Sequence, residues 1–180
     1  METPPHPASP IKGEYLLTNA PGCLRGGMSD ISSRLAELGI KLPEAAAPVA
    51  AYVPTVLVGN LLHISGQVSF EGGELLTGRM GEDRDLQFGV RAARACGLML
   101  LAQIQKAVGL DLVERIVKLG VFVNSAGSFT DQPKVANGAS ELMEQVFGEA
   151  GRHARSAVGV PVLPLGAAVE IDAIVAVKPA

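Results

Sequence analysis

Tryptophan is absent from the 180 residues of this chain, and aromatic residues make up only 4% of it. Side chains on which nucleic-acid bases could stack are therefore scarce. An excess of positive charge is also missing, because 15 lysines and arginines are set against 18 aspartates and glutamates. Proteins that bind nucleic-acid phosphates usually carry a basic excess, so we do not expect a nucleic-acid partner.

Cysteine and histidine are both rare, which argues against a metal centre. Cys23 and Cys96 lie far apart and form neither a disulfide framework nor a Cys-x-x-Cys metal pair. The histidines, His6, His63 and His153, have no mutual spacing that suits a metal ion. Neither a P-loop, a dinucleotide-binding glycine motif nor a G-x-S-x-G motif occurs. We therefore expect reduced thiols and no bound metal.

Long apolar segments are lacking too. No apolar run approaches the roughly 18 residues that can span a bilayer. Residues 1–21 are rich in proline and polar residues, without the apolar stretch of a signal peptide. We expect a soluble, cytoplasmic protein with no membrane partner. Charged residues are only 18% of the chain, whereas about 25% is usual, so part of the apolar surface is expected to be covered in an oligomer.

The first 28 residues differ from the rest in composition. They hold five prolines and no periodic apolar pattern, which is typical of a loop or tail. We predict a flexible N-terminal extension over residues 1–28 and a single α+β domain over residues 29–180. Ser29 and Asp30 offer an N-cap for a short helix that ends at Gly39.

Apolar periodicity divides the remaining chain into strands and helices. Two β-rich segments, 53–58 and 61–68, flank Gly59-Asn60, which is typical of a two-residue hairpin turn. Apolar residues at helical spacing predict one helix from Asp85 to Gly109 and another over about 134–147. Further strands are predicted over residues 74–76, 116–123, 156–160 and 168–177.

These elements predict an α+β fold in which two long helices pack on one face of a mixed sheet. Each helix has one apolar stripe, and in the first helix the polar side chains are expected away from that stripe: Arg91, Arg94, Gln103 and Lys106. The other face of the sheet would stay uncovered in a monomer, although its strands carry apolar residues. We expect that face to contact neighbouring subunits.

Three polar residues stand out in the apolar strands near the end of the chain. Glu170 and Asp172 alternate with apolar residues, so the period of two puts both carboxylates on one face. Arg155 opens the preceding strand, where its guanidinium could receive a carboxylate through two parallel hydrogen bonds. A nearby glutamate could orient or deprotonate a water molecule. The alternative interpretation is an arginine–glutamate ion pair on a solvated sheet face.

These residues also carry a family resemblance. The segments 154–158 (ARSAV) and 169–174 (VEIDAI) resemble the C-terminal signature of the RidA/YjgF family of imine deaminases. Earlier segments look like that family's first hairpin, its S-G-Q strand and its middle part: Tyr52-Val53 with Gly59-Asn60, residues 64–67, and residues 121–123 before Phe129 and Asn137. The resemblance covers about residues 48–177.

The resemblance implies a chorismate-mutase-like α+β fold and a homotrimer with sites in clefts between subunits. Members of the family convert reactive enamines and imines, such as 2-aminoacrylate, into 2-keto acids and ammonia without a cofactor. Carried over to this sequence, Arg155 would bind the substrate carboxylate and Glu170 would position the attacking water. The pocket would be lined by Tyr52, Ser65, Gly66, Asn137 and Ala157.

Two positions depart from the family's pattern. Ala157 stands where the family often has cysteine, and His153 stands where it often has proline. These changes bear on the substrate range more than on the fold. Two other functions stay open: a non-catalytic trimer that senses small carboxylates, and the RNA cleavage attributed to relatives. The sequence pI of about 5.6 argues against the second.

Overall fold

A mixed, five-stranded sheet forms the centre of the protein. The structure is a computed structural model, and it describes residues 31–45 and 51–179. The strands are β1 (Thr55–Val58), β2 (Leu61–Val68), β3 (Phe70–Glu71), β4 (Glu74–Leu75), β5 (Val113–Asn124), β6 (Ala154–Val160) and β7 (Val169–Val177). The helices are α1 (Ile31–Glu37), α2 (Leu86–Ala107) and α3 (Gln132–Phe147). The sheet order is β1-β2-β7-β5-β6, in which β5 and β6 are parallel and the other neighbours antiparallel.

The predicted elements are present, with shifts at their ends. The first hairpin turns at Gly59-Asn60 as predicted, but β1 begins at Thr55 rather than at residue 53. Strand β5 is longer than predicted and runs from Val113 to Asn124. The predicted extension over residues 1–28 and the N-cap at Ser29-Asp30 lie outside the described residues, so both stay predictions.

Helix α2 follows the prediction at both ends. The Asp85 carboxylate accepts a hydrogen bond from the Phe88 N–H at 2.8 Å, which caps the helix, and the helix ends before Gly109. Most of the predicted stripe is buried: Ala93, Gly97, Leu100, Leu101 and Ile104. The expectation that Gln103 lies away from the buried face is wrong, because this side chain is only 2% exposed. Its amide Nε2 donates to the Gln67 Oε1 at 3.3 Å, a buried partner that the helical period does not reveal.

Helices α2 and α3 pack closely because glycines stand where they cross. A β-carbon added at Gly138 of α3 would overlap the carbonyl oxygen of Val90 in α2. A backbone neighbour cannot rotate away as a flexible side chain can. The helices would therefore have to move apart to admit even a methyl group.

We expect Gly138→Ala to lower the free energy of unfolding by about 2 kcal/mol, since the overpacking cost exceeds the gain in helix propensity. Chemical denaturation followed by circular dichroism measures this change. Gly127→Ala is the matched control, because no heavy atom lies within 4 Å of a β-carbon there, and its effect should stay within about 0.5 kcal/mol. Equal stability of the two variants would contradict the close packing.

The two faces of the sheet differ in what they meet. Helices α2 and α3 lie against one face, which we name the covered face; the opposite one is the open face. Along β7 every second residue is buried, beginning with Val169, while Glu170 and Asp172 are half-buried on the open face. The predicted alternation is thereby confirmed. Apolar side chains also remain on the open face, and Val58 is 63% exposed there.

No helix among the described residues is a candidate for a membrane span. None of them combines the length with the apolar composition that crossing a bilayer requires. The core lies instead between the covered face and the two long helices, where Leu100, Leu119, Leu142 and Ile171 are fully buried.

Candidate active site

Arg155 lies on the covered face of β6 and is held by the start of α3. Its Nη1 donates to the Asn137 Oδ1 at 3.0 Å and to the Ser140 Oγ at 2.9 Å. Its Nη2 donates to the Pro133 carbonyl oxygen at 3.0 Å. No carboxylate lies within ion-pair distance of Arg155 among the described residues. The ion-pair interpretation therefore does not describe Arg155 within one protomer.

The bonds of Arg155 leave part of its guanidinium free. A guanidinium has five N–H donors, and three of them are used. The Nε–H and one hydrogen of Nη2 have no partner among the described residues. Nε and Nη2 form the edge of a guanidinium that can make two parallel bonds to a carboxylate. The arginine is thus fixed in place with one free donor on each nitrogen of this edge.

An open cleft of about 510 Å³ surrounds this arginine. One face of α3 supplies polar side chains to it at helical spacing: Asn137, Ser140, Glu141 and Glu144. The segment that leads into β6 adds Arg152 and His153. Of these residues, Asn137 was predicted from the sequence, Ser140 was not, and His153 stood out only as a departure from the family's pattern. The signal for Ser140 was its place three residues after Asn137, on the polar side of an amphipathic helix.

Glu170 belongs to a second group, on the open face. A β-carbon added at Gly66 would overlap the Glu170 carboxylate, so only glycine leaves room for this side chain. The register between β2 and β7 shifts between Ile64 and Gln67, and this bulge places Gly66 opposite the carboxylate. Glu170 and Gly66, two of the predicted site residues, therefore lie in contact.

The bulge is supported from the core and from the preceding loop. The buried Gln67 amide donates from Nε2 to the Ser65 carbonyl at 2.9 Å and to the Gly66 carbonyl at 3.2 Å. The Ser65 hydroxyl donates to the Val53 carbonyl at 2.9 Å, which ties the bulge to the chain next to Tyr52. Tyr52 is 48% exposed. Ser65 and Gly66 thus lie near the backbone that directly follows Tyr52.

Two carboxyl groups on the open face have raised pKa values. Burial raises the pKa of Glu170, and the nearby charge of Asp172 raises it further. Burial also raises the pKa of Asp172, while the Gly120 backbone N–H and the Lys118 charge act in the opposite direction. A glutamate with a raised pKa is a better proton acceptor from water near neutral pH.

The residues around Arg155 and the residues around Glu170 do not meet within one protomer. Arg155 stands opposite Leu119, which is fully buried on the covered face, and Ala157 follows on the same side. Glu170 stands opposite Phe122, on the open face. The sheet itself therefore separates Arg155, Asn137 and Ala157 from Glu170 and Gly66. This separation could not be predicted from the sequence, in which these residues form one candidate site.

No group of three or more His, Cys, Asp or Glu side chains that could hold a metal ion occurs in the described part of the chain. The buried Cys96 donates from Sγ to the Val169 carbonyl at 3.4 Å, and burial raises the pKa of its thiol. A thiol held in this state is a poor nucleophile.

A mixed sheet with two long helices on one face defines an α+β protein of the chorismate-mutase-like type. A family model described as "YjgF/chorismate mutase-like, putative endoribonuclease" matches residues 32–175. The match spans most of the chain, and it includes both Arg155 and Glu170. The chain belongs to this YjgF family.

Relatives and solved structures agree with this assignment. Protein TCP17 of Trypanosoma cruzi is 55% identical over 148 residues, which cover 81% of this chain and 92% of the relative. A 2-iminobutanoate/2-iminopropanoate deaminase of Dermatophagoides farinae is 29% identical and covers 77% of this chain and 95% of its own. The crystal structure of protein Atu1372 of Agrobacterium tumefaciens, whose function is described as unknown, is 47% identical with a TM-score of 0.77, covering 82% of this chain and 92% of its own.

Proposed function

We propose that this protein hydrolyses reactive imines and enamines of the 2-aminoacrylate type to 2-keto acids and ammonia. The observation that carries the proposal is the anchored Arg155, whose free edge matches a substrate carboxylate. The deaminase named among the relatives supports the same chemistry. An imine of a 2-keto acid presents its carboxylate next to the electrophilic carbon, so binding the carboxylate also positions that carbon.

Glu170 is proposed to activate the attacking water. The water oxygen bonds to the imine carbon, and Glu170 takes up one water proton and passes it to the imine nitrogen, which gives a carbinolamine. Glu170 then takes the hydroxyl proton of the carbinolamine and passes it to the amine nitrogen as the C=O bond forms and the C–N bond breaks, so ammonia and the keto acid leave and Glu170 is a carboxylate again. Because the imine carbon is already electrophilic, the protein supplies mainly position and one proton-transfer group.

The complete site is proposed to lie between two copies of the chain in a homotrimer. Arg155 and Glu170 occupy opposite faces of one sheet, so they can act on the same substrate only across an interface. The apolar side chains of the open face are suited to such an interface, among them Val56, Val58, Val158 and Ile174. The third site element, Tyr52, would come from the subunit that supplies Glu170.

Release of 2-keto acid is the direct test of the function. An amino-acid oxidase with catalase generates the imine in situ, and the protein is expected to speed keto-acid formation above the spontaneous rate. Arg155→Ala serves as the matched control protein. Binding of a 2-keto acid without any acceleration would favour the non-catalytic sensor instead.

A mixed-subunit experiment tests the shared site. Arg155→Ala and Glu170→Gln copies with different tags are co-expressed, and trimers that hold both are purified. Each such trimer contains one interface with both intact residues, so about a third of wild-type activity is expected. Activity no higher than that of the parent variants, or a particle with the monomer mass of 18.6 kDa, would contradict the proposal.

RNA cleavage is the second candidate, because the family description names an endoribonuclease. The net charge of −3 argues against tight binding of a polyanion. Incubation with a labelled single-stranded RNA at low salt separates the two candidates. RNA cleavage that persists in both Arg155→Ala and Glu170→Gln would place the cleaving site in another part of the molecule.

A further inference from the structure

A chain of hydrogen bonds leads from Arg155 to a backbone carbonyl and passes through two residues that have no role in the proposed reaction. The Arg155 Nη1 donates to the Ser140 Oγ at 2.9 Å. The same Oγ lies 3.0 Å from the His153 Nε2, and the His153 Nδ1 lies 2.6 Å from the Gly151 carbonyl oxygen. These three hydrogen-bonded pairs connect helix α3, strand β6 and the segment that precedes β6.

The direction of this chain follows from the groups at its two ends. A carbonyl oxygen only accepts, so the His153 Nδ1 carries the proton that bonds to Gly151. In a neutral imidazole the Nε2 is then an acceptor, and the Ser140 hydroxyl donates its proton to it. The lone pairs of the Ser140 Oγ are thereby left for the Arg155 N–H. Neutral His153 thus sets the orientation of the Ser140 hydroxyl.

We propose that His153, acting through Ser140, is a positioning residue that holds Arg155 ready for the substrate carboxylate, and that only its neutral form does so. The inference rests on the proposed function, in that Arg155 is taken to bind a carboxylate. Ser140 provides one of the three anchors of the guanidinium; Asn137 and Pro133 provide the others. Losing the orientation of Ser140 frees the arginine to turn its fork away.

A second proton on His153 would reverse the bond to Ser140. The Nε2 would become a donor, and the Oγ would have to accept from two cationic groups while its own proton turned elsewhere. Burial lowers the pKa of His153, the Gly151 carbonyl acts in the opposite direction, and the charge of Arg155 lowers it further. The neutral form is therefore favoured around neutral pH, and protonation occurs only in more acidic solution.

Other charged groups face this pair from each neighbouring element. They are Glu141 and Glu144 of α3, Glu149 and Arg152 of the following turn, Arg155 of β6, and Arg115 of β5. Arg152 is paired with Glu144 at 3.0 Å and with Glu149 at 3.5 Å, so these charges largely offset one another. The guanidinium of Arg155 is the charge linked most directly to His153, because both side chains hydrogen-bond to the Ser140 hydroxyl.

The test measures carboxylate binding separately from turnover. Calorimetry with 2-oxobutanoate gives Kd, and the oxidase-coupled assay gives KM and kcat, for wild type, Ser140→Ala, His153→Phe and His153→Gln. We expect Ser140→Ala and His153→Phe to weaken binding and raise KM about tenfold, while kcat changes by less than about twofold. Ser128→Ala, at an exposed serine away from the cleft, should leave all three constants unchanged.

The pH profile distinguishes positioning from a merely structural role. Wild-type Kd should rise only in solution more acidic than about pH 6.5, the usual pKa of histidine, because the pKa of His153 is lowered. Glutamine cannot titrate and retains an acceptor for the Ser140 hydroxyl, so His153→Gln should bind more tightly than His153→Phe and lose this pH dependence. Melting temperatures identify any variant that does not fold, in which case the wild-type and His153→Gln profiles decide.

Two results would overturn the inference while leaving the proposed function intact. One is wild-type turnover with an unchanged Kd in folded Ser140→Ala and His153→Phe. The other is the same acid-dependent rise of Kd in wild type and His153→Gln. A wild-type protein that neither binds 2-oxobutanoate nor hydrolyses imines would instead overturn both proposals.

Discussion

Arg155→Ala is expected to reduce kcat/KM for imine hydrolysis by at least about 100-fold. Losing a charge-assisted hydrogen bond to a ligand costs roughly 1.5–3 kcal/mol, or about 10- to 150-fold. The free edge of Arg155 offers two such bonds, and a substrate that is no longer clamped also loses its alignment with the attacking water. Keto-acid release in the oxidase-coupled assay measures the loss.

Arg155→Lys separates recognition from charge. Lysine keeps the positive charge but lacks the planar fork, so it should recover little of the lost activity. If Arg155 only stabilised the contact between α3 and β6, the alanine variant would lose stability and lysine would largely restore it. Melting temperature, particle mass and keto-acid release are therefore measured on both variants. Wild-type turnover by a folded Arg155→Ala protein would remove the central residue of the proposed site.

Glu170→Gln is expected to lower kcat by about 10²- to 10⁴-fold, the usual contribution of a general base, with little change in KM. The amide has nearly the same shape as the carboxylate and fits the space left by Gly66, but it cannot take a proton from water. Steady-state kinetics at saturating imine measures the effect. An unchanged kcat would move the base to Asp172, which shares the open face.

The stability of the same variant serves as a control. Since the pKa of Glu170 is raised in the folded protein, folding favours its protonated form, and this contribution to stability is lost as the pH rises through the raised pKa. A neutral amide avoids the cost of ionising a half-buried carboxyl group. Glu170→Gln should therefore be at least as stable as wild type at neutral pH, so that lost activity cannot be attributed to unfolding.

The pH dependence of kcat adds a further check on the base. The carboxylate form of Glu170 decreases as the pH falls through its raised pKa, so the acid limb should lie above the usual range of glutamate, about pH 4.3. Asp172→Asn removes the like charge and should move this limb to lower pH. A limb at the same pH in wild type and Asp172→Asn would contradict the coupling of the two carboxyl groups.

Much of the site follows from short sequence segments. The alternation in β7 predicts that Glu170 and Asp172 lie on one face of the sheet. The motif around Arg155 likewise predicts the start of β6. Ser140 could not be identified in the same way. Its role depends on two bonds to residues 13 and 15 positions later, which no local periodicity encodes.

Local features of this protein could be predicted from its residues alone: the Gly59-Asn60 turn, the Asp85 cap, and which residues along each strand share a face. These features depend on interactions within a few residues and on fixed periods of 2 and 3.6. The packing of the folded chain was needed to show that Arg155 faces the helices while Glu170 faces away from them, and that Gln103 is buried against Gln67. A period states which residues share a face, but which face becomes covered is decided by packing between segments that are distant in the chain.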